Sequence, residues 1–140
     1  MKVEGFELPE DLYYHPDHTW ASIEGDLVRV GVSAYGLHLA GEIKAITPRQ
    51  KGKKIRFGGP IAVLESAKWV GPLKSPVSGT IVECNTELLD DYSPLIKDPY
   101  DSGWIVVVKP TSFDEDARNL MTGEDTIREW MDMEIHGKNA

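Results

Sequence analysis

His15 and His18 stand at i and i+3, close enough to grip one metal ion. Zinc or copper would need further ligands in ordered spacing. His38 and His136 lie far along the chain, and Cys84, the single cysteine, falls in a run that reads as a strand. No metal is therefore expected, and Tyr14-His15-Pro16-Asp17 reads as a turn ahead of Trp20. Cys84 sits between Glu83 and Asn85, without the exposed, electropositive setting of a nucleophilic thiolate. It reads as a small buried hydrophobe. No G-x-x-x-x-G-K-[ST] loop is present to cradle a phosphate, and no G-x-S-x-G elbow to present a serine. Carboxylates are plentiful, but none forms a distinctive pair, so catalysis by the bare polypeptide has little support. What remains is Lys68, at the centre of Leu64-Glu65-Ser66-Ala67-Lys68-Trp69-Val70-Gly71-Pro72-Leu73-Lys74-Ser75-Pro76-Val77-Ser78-Gly79. Apolar strands on both sides place this lysine at an exposed hairpin tip, open to another enzyme. Taken alone, such a lysine is ordinary solvated surface.

The elements that must hold this tip read as β. Thr19–Ile23 and Leu27–Val32 alternate around Glu24-Gly25-Asp26, the pattern of a hairpin. Ser33 can cap a short helix over 34–39, stopped by Gly41. Runs at 41–47, 54–57, 60–64, 80–84 and 104–109 are short and split by Gly and Pro, which indicates a sandwich or barrel rather than a parallel α/β sheet. Residues 1–12 carry few apolar groups and are expected to trace the surface. Ser112-Phe113-Asp114-Glu115 has the spacing of a capping box, and Ile127, Trp130 and Met131 share one face of a helix. Gly123 is expected to separate two helical pieces packed outside the barrel. The expected organisation is one domain over 1–140, with a β core at about 13–110 and a helical segment at about 112–135.

The chain of 140 residues carries 15 Lys and Arg against 23 Asp and Glu, a net charge of -8, which repels phosphate backbones and anionic lipid. Nucleic acid and membranes are not expected partners. The longest apolar runs, such as Trp104–Val108, fall far short of the roughly 20 residues of a membrane span. Met1–Gly5 has no apolar h-region of a secretory signal, and the lone cysteine forms no internal disulfide. A reducing, cytoplasmic setting follows as an expectation.

The residues around Lys68 resemble the lipoyl-attachment site of the glycine cleavage system H-protein family, a Glu-Ser-x-Lys turn followed by Pro-x-Ser-Gly. Glu65-Ser66-Ala67-Lys68 and Pro76-Val77-Ser78-Gly79 match it. Tyr14-His15-Pro16-Asp17-His18-Thr19-Trp20 is similar to the family's Tyr…His-x-Trp. Gly31-Val32-Ser33 leading to Gly41-Glu42-Ile43, and Asp98-Pro99-Tyr100 followed by Gly103-Trp104, agree in order. The resemblance implies a mainly β, lipoyl-domain-like barrel-sandwich hybrid, a flattened β-barrel with a short internal helix and C-terminal helices. It implies a non-catalytic carrier with lipoate amide-linked to Lys68. Glu65 and Gly79 would shape the turn read by the lipoylating enzyme, and Thr19, Tyr35, Trp69 and Pro72 would line the cleft where the arm rests.

Two departures bear on cargo. The family's conventional members hold a cationic aminomethyl group with carboxylates. One of those positions is Thr19 here and the other Pro72, and the family's helix histidine falls on Tyr35. Glu65 or Asp17 would have to compensate. Lys68-Trp69-Val70-Gly71-Pro72 also departs from the family's Lys-Ala-x-Ser-Asp, placing a bulky ring and a stiff Gly-Pro turn beside the attachment point. In both respects the chain resembles the H-protein-like lipoate-binding proteins of sulfur oxidation, whose cargo is bound through sulfur. The expected partners are a lipoate-protein ligase or lipoyl transferase, dihydrolipoamide dehydrogenase, and a heterodisulfide-reductase-like complex or the glycine cleavage enzymes. A monomer is expected. An unlipoylated β interaction module is the reading from a different class.

Overall fold

The computed structural model describes residues 1–137. In chain order the elements are β1 (Lys2–Val3), β2 (Phe6–Glu7), β3 (Tyr13–Tyr14), β4 (Thr19–Glu24), β5 (Leu27–Val32), α1 (Ala34–Ala40), β6 (Ile43–Pro48), β7 (Lys54–Ile55), β8 (Pro60–Ser66), β9 (Val70–Lys74), β10 (Gly79–Cys84), α2 (Glu87–Asp90), α3 (Ser93–Lys97), β11 (Val106–Pro110), α4 (Phe113–Ala117) and α5 (Glu124–His136). Apart from the small β1-β2 hairpin, the strands form two antiparallel sheets. A six-stranded sheet runs β3-β4-β5-β11-β10-β7, and a three-stranded sheet runs β6-β8-β9.

Alternation drives the packing. Ala62, Leu64 and Ser66 of β8 point inward, while Val63 and Glu65 point out, and Ile61 is buried beside them where the register shifts between Pro60 and Ala62. Val28 and Val30 of β5 and Val106 and Val108 of β11 do the same from the larger sheet, and their side chains close the core against Ile43, Ile46, Leu64 and Leu73. A period of two residues puts every second side chain on one face, so short strands suffice to seal it. The β4-β5 hairpin turns where the sequence indicates, and Ser33 caps α1 by accepting from the Gly36 amide at 3.0 Å.

Three expectations need correction. Residues 1–12 are not mere surface. Val3, Leu8 and Leu12 are buried with Tyr14, Trp20 and Tyr35 beneath Ile127 and Met131 of α5, forming a second core. The apolar stripe of α5 needs a cover, and the few apolar residues of the N-terminal segment supply it. Ser112 makes no capping hydrogen bond from its side chain. Asp116 instead accepts from the Ser78 amide at 2.7 Å and ties α4 to the entry of β10. Cys84 is half-buried against the main core rather than fully enclosed.

Candidate functional site

The β8-β9 hairpin closes on a turn built around Ser66. The Ser66 amide donates to the Trp69 carbonyl at 2.7 Å, and its hydroxyl donates to the same carbonyl at 3.2 Å while accepting from the Lys68 amide at 3.3 Å. The Ala67 amide donates to the Glu42 carbonyl at 2.9 Å, pinning the tip to the chain just after α1. Ser66 is 6% exposed. A buried hydroxyl that both donates and accepts fixes the turn without involving the lysine side chain. Lys68 is exposed, and among the described residues no ion pair holds it. Its stem lies over Gly41. A Cβ on that glycine would come within 3.0 Å of Lys68 Cε, and its φ of 84° is one that side chains seldom adopt. The primary amine is thus presented on a rigid tip, as acylation by a second enzyme requires.

Beside it opens a cavity of about 500 Å³. Lys68, Trp69, Pro72, Leu73 and Lys74 of the hairpin form one side, with Leu64 of β8. Val32, Gly36, Leu39 and Ala40 form the opposite side, and Asp17 and His18 close an end. Trp69 and Pro72 line this cavity. Thr19 and Tyr35 do not. Thr19 is fully buried, and its hydroxyl donates to the Lys74 carbonyl at 2.7 Å, joining β4 to β9. Tyr35 is buried in the second core, edge-on to Phe6 and to His18 with ring centres 5.0 Å apart in each pair. Gly71 and Pro72 do not form a turn. They belong to β9, an edge strand, where a missing amide is tolerated. Glu65 is exposed at the end of β8, opposite Val70. Gly79 lies in the other sheet, paired with Ile55 and Pro110, and takes no part in the turn. Ser66 and His18 are additions to the expected site residues: Ser66 is legible in the Glu-Ser-x-Lys run, whereas His18 reaches the cavity through tertiary packing; Asp17, named above as a carboxylate that would have to compensate, lines the cavity.

Apart from Lys68 itself, the cavity's charges are paired. Asp17 bonds Lys74 at 2.9 Å, and that hydrogen bond holds its carboxyl below the usual range. His18 is buried at a φ of 75°, stacked on Trp130, with Nε2 3.6 Å from Glu134. Burial pushes its pKa down, against the opposing pull of Glu134 and Asp17. His15, which accepts from the Asp17 amide through Nδ1, is also pushed down by burial. Because both imidazoles titrate below their ordinary value of 6.5, the unfolded chain binds more protons than the folded one as pH falls through that value. Stability from these two groups is complete above pH 6.5 and declines as pH drops toward their folded pKa values. Thermal melts should show a falling Tm between pH 7 and pH 5, with a shallower slope in His18→Asn, since Asn tolerates positive φ. An unchanged slope in that variant would remove His18 from the account.

Comparison with known proteins decides the family. Residues 12–133 match the family model described as glycine cleavage H-protein. The chain belongs to the glycine cleavage H-protein family. A probable glycine cleavage system H protein 3 of Sulfurisphaera tokodaii is 46% identical, covering 78% of this chain and 80% of its own length. Glycine cleavage system H protein 2 of Aquifex aeolicus is 39% identical over 91% of this chain and 82% of its own. The crystal structure of a glycine cleavage system H protein from Mycobacterium marinum superposes with a TM-score of 0.69 at 35% identity, covering 74% of this chain and 87% of that one. The mainly β barrel-sandwich expectation holds. Members of the family carry lipoate covalently on a lysine, and the chain is accordingly a non-catalytic lipoyl carrier. Among the described residues, no helix is long and apolar enough to cross a membrane.

Proposed function

We propose that Lys68 carries the lipoyl group and that the arm bears a sulfur intermediate, passed to a heterodisulfide-reductase-like complex. The observation that carries this reading is the cavity beside Lys68. Pro72 lines it where conventional members place a carboxylate, and its sole carboxylate among the described residues, Asp17, is bound to Lys74. Lipoate supplies a disulfide that opens to hold a group on sulfur between partner sites. The chain's own residues present the amine, anchor the turn through Ser66 and offer an apolar recess with no free counter-charge. Acylation removes the Lys68 charge, so an uncharged or anionic cargo meets no electrostatic penalty there, whereas a cation finds no partner. Glu65, exposed beside the turn, is a recognition point for the ligase or transferase that installs lipoate. Dihydrolipoamide dehydrogenase reoxidises the arm. This reading has one carrier domain over 1–140, monomeric and cytoplasmic.

The second reading is the conventional one, an aminomethyl carrier between the glycine decarboxylase and the aminomethyltransferase. The names of the relatives favour it, including a glycine cleavage system H protein of Bacillus pumilus at 39% identity. Yet relatives numbered 2 and 5 both come from Aquifex aeolicus, so members of the family coexist in one organism and have room to diverge in cargo.

One substitution separates the readings. Thr19 is unsuitable, because a carboxylate there would be buried and would break the bond to Lys74. Pro72 is exposed and lines the cavity. Lipoylated protein offered glycine with the two glycine cleavage partners should turn over poorly, and Pro72→Asp should improve aminomethyl retention by about 1 kcal/mol, roughly fivefold, as expected for a solvent-screened pair. The same change should weaken retention of an anionic sulfur cargo. Efficient glycine cleavage by the unaltered protein sinks the sulfur reading and leaves the conventional one.

A further inference from the structure

We propose that the outer face of the three-stranded sheet, with the basic segment at its far end, is the surface on which the lipoylating enzyme docks, and that this enzyme meets it with an acidic patch. The inference rests on the reading of Lys68 as the attachment point. Two rows of side chains point outward from β6, β8 and β9. Ala45, Glu65 and Val70 form one row, and Thr47, Val63 and Pro72 the other, with Pro72 at the edge where it also borders the cavity. Residues directly opposite on neighbouring strands share a face. All six are exposed, Val63 by 47% and Val70 by 65%, so no element of the described chain covers this face. Its only charge is Glu65. Lys68 and the exposed Trp69 stand at one end of it, on the turn between β8 and β9.

The other end is basic. Between Glu42 and Glu65 the chain has no acidic residue but holds six of its 15 Lys and Arg. The Arg49 amide donates to the Ile61 carbonyl at 2.8 Å and its guanidinium to the Pro60 carbonyl at 3.3 Å, which puts it beside the start of β8. Lys51 and Lys53 flank Gly52, whose amide donates to the Ile81 carbonyl at 2.7 Å, and the Ile81 amide donates to the Lys53 carbonyl at 2.9 Å. Lys54 of β7 and Lys109 of β11 lie opposite Thr80 from its two sides, and so on one face about 10 Å apart. Lys51, Lys53, Lys54, Arg56 and Lys109 are exposed. Among the described residues, none of these five nor Arg49 is bound to a carboxylate. A chain with 23 Asp and Glu thus leaves this end without its complement, while backbone bonds hold the charges in place.

Size and position select the partner. The Lys68 amine itself must enter the lipoylating enzyme, so that enzyme's contact is centred near the tip. A specific interface covers about 800 Å² per partner, a disc roughly 30 Å across. The seven residues of β8 span roughly 20 Å. An enzyme lying along the sheet therefore reaches from Lys68 to within a Debye length, about 8 Å, of the basic end. Charges at such a rim speed encounter more than they tighten the complex. A nucleic acid or an anionic membrane extends past this end and meets a remainder that is strongly acidic.

The test follows transfer of lipoate to the full, unmodified chain by a lipoate-protein ligase, with intact mass and peptide mapping locating the adduct. Raising salt from about 50 to about 500 mM should lower kcat/KM about tenfold with kcat steady. Lys51→Glu with Lys53→Glu should lower kcat/KM by a similar factor at low salt, through KM, and flatten the salt dependence. Lys2→Glu with Arg128→Glu, the same change of charge beside α5, should stay within about twofold. Val63→Asp, midway along the face, should also raise KM. The exposed Lys51 and Lys53 side chains take no part in the backbone bonds of their loop, so melting should be unchanged, and the salt dependence of the unaltered chain decides the matter even if it is not. An adduct on Lys68 formed with salt-independent KM, or equal losses in the two double variants, overturns the docking surface and leaves Lys68 as the anchor. Binding of phosphatidylglycerol vesicles or duplex DNA at 150 mM salt, lost in Lys51→Glu with Lys53→Glu, assigns the basic end to a different partner and overturns it too. No adduct on Lys68 overturns the anchor as well, and mass distinguishes that failure from the others.

Discussion

Lys68→Arg should fold normally, accept no lipoyl group and lose all carrier function. The turn is held by backbone groups and by the Ser66 hydroxyl, none of which involves the lysine side chain. Lys68 is exposed, so arginine keeps the charge and meets no packing constraint beyond Gly41. What it lacks is the primary amine. Guanidinium stays protonated and does not form the amide. Co-expression with a ligase and lipoate, followed by intact mass and thermal melting, checks both halves of the expectation. Lys74 is the neighbouring lysine on the cavity, but it is bound to Asp17 and sits in a strand rather than at a tip. An adduct that persists in Lys68→Arg would place the anchor elsewhere and undo the reading of the hairpin.

How much of this was legible in the residues depends on the range of the interaction. The β4-β5 hairpin, the Ser33 cap and the Gly41 stop are local, and the sequence reading located all of them. The motif around Lys68 is local too, because a turn of four residues fixes its own geometry. The cleft is different. Its walls come from β5, α1, β8 and β9, and which face of α1 they meet is set by the docking of α5 and the N-terminal segment on the other side. Tyr35, expected in the cleft, packs instead in the second core, although Gly36, its neighbour, does line the cavity. Other motif residues prove to be fasteners. The Trp20 indole donates to the Pro99 carbonyl at 3.1 Å, and the Ala34 amide donates to the Tyr100 hydroxyl at 2.9 Å. Two motifs distant in sequence thereby fix the start of α1, and with it the position of Gly41 beneath Lys68. The helices α2 and α3 carry no strong periodicity in the sequence, yet Leu88 of α2 and Leu95 of α3 are buried in the main core.

Gly79→Val should unfold the protein before it disturbs lipoylation, the reverse of what the resemblance alone implies. A Cβ at this position would overlap the Lys109 carbonyl oxygen and come within 2.8 Å of Val108 Cγ1. Backbone on a neighbouring strand cannot swing aside as a side chain can. Gly79 is paired on one side with Pro110 and on the other with Ile55, so the strand has no free edge toward which to shift. The residue before it is anchored three times: the Ser78 amide donates to Asp116, its hydroxyl accepts from the Phe57 amide, and its carbonyl accepts from the Thr111 amide. Overpacking a rigid site typically destabilises by about 1–3 kcal/mol, and this site has less room to relax than most. Even Gly79→Ala should lose about 3 kcal/mol, lowering Tm by about 10 °C for a chain of this size. Valine adds two methyl groups to the same collision and should leave little folded protein at 37 °C. The Lys68 hairpin belongs to the other sheet and keeps its own turn hydrogen bonds, so whatever folded Gly79→Ala survives at low temperature should be lipoylated at the normal rate. Tm and the rate of adduct formation, measured on the same sample well below the melt, separate the two roles. A variant with an unaltered Tm and slow modification would mean that the lipoylating enzyme reads Gly79 directly.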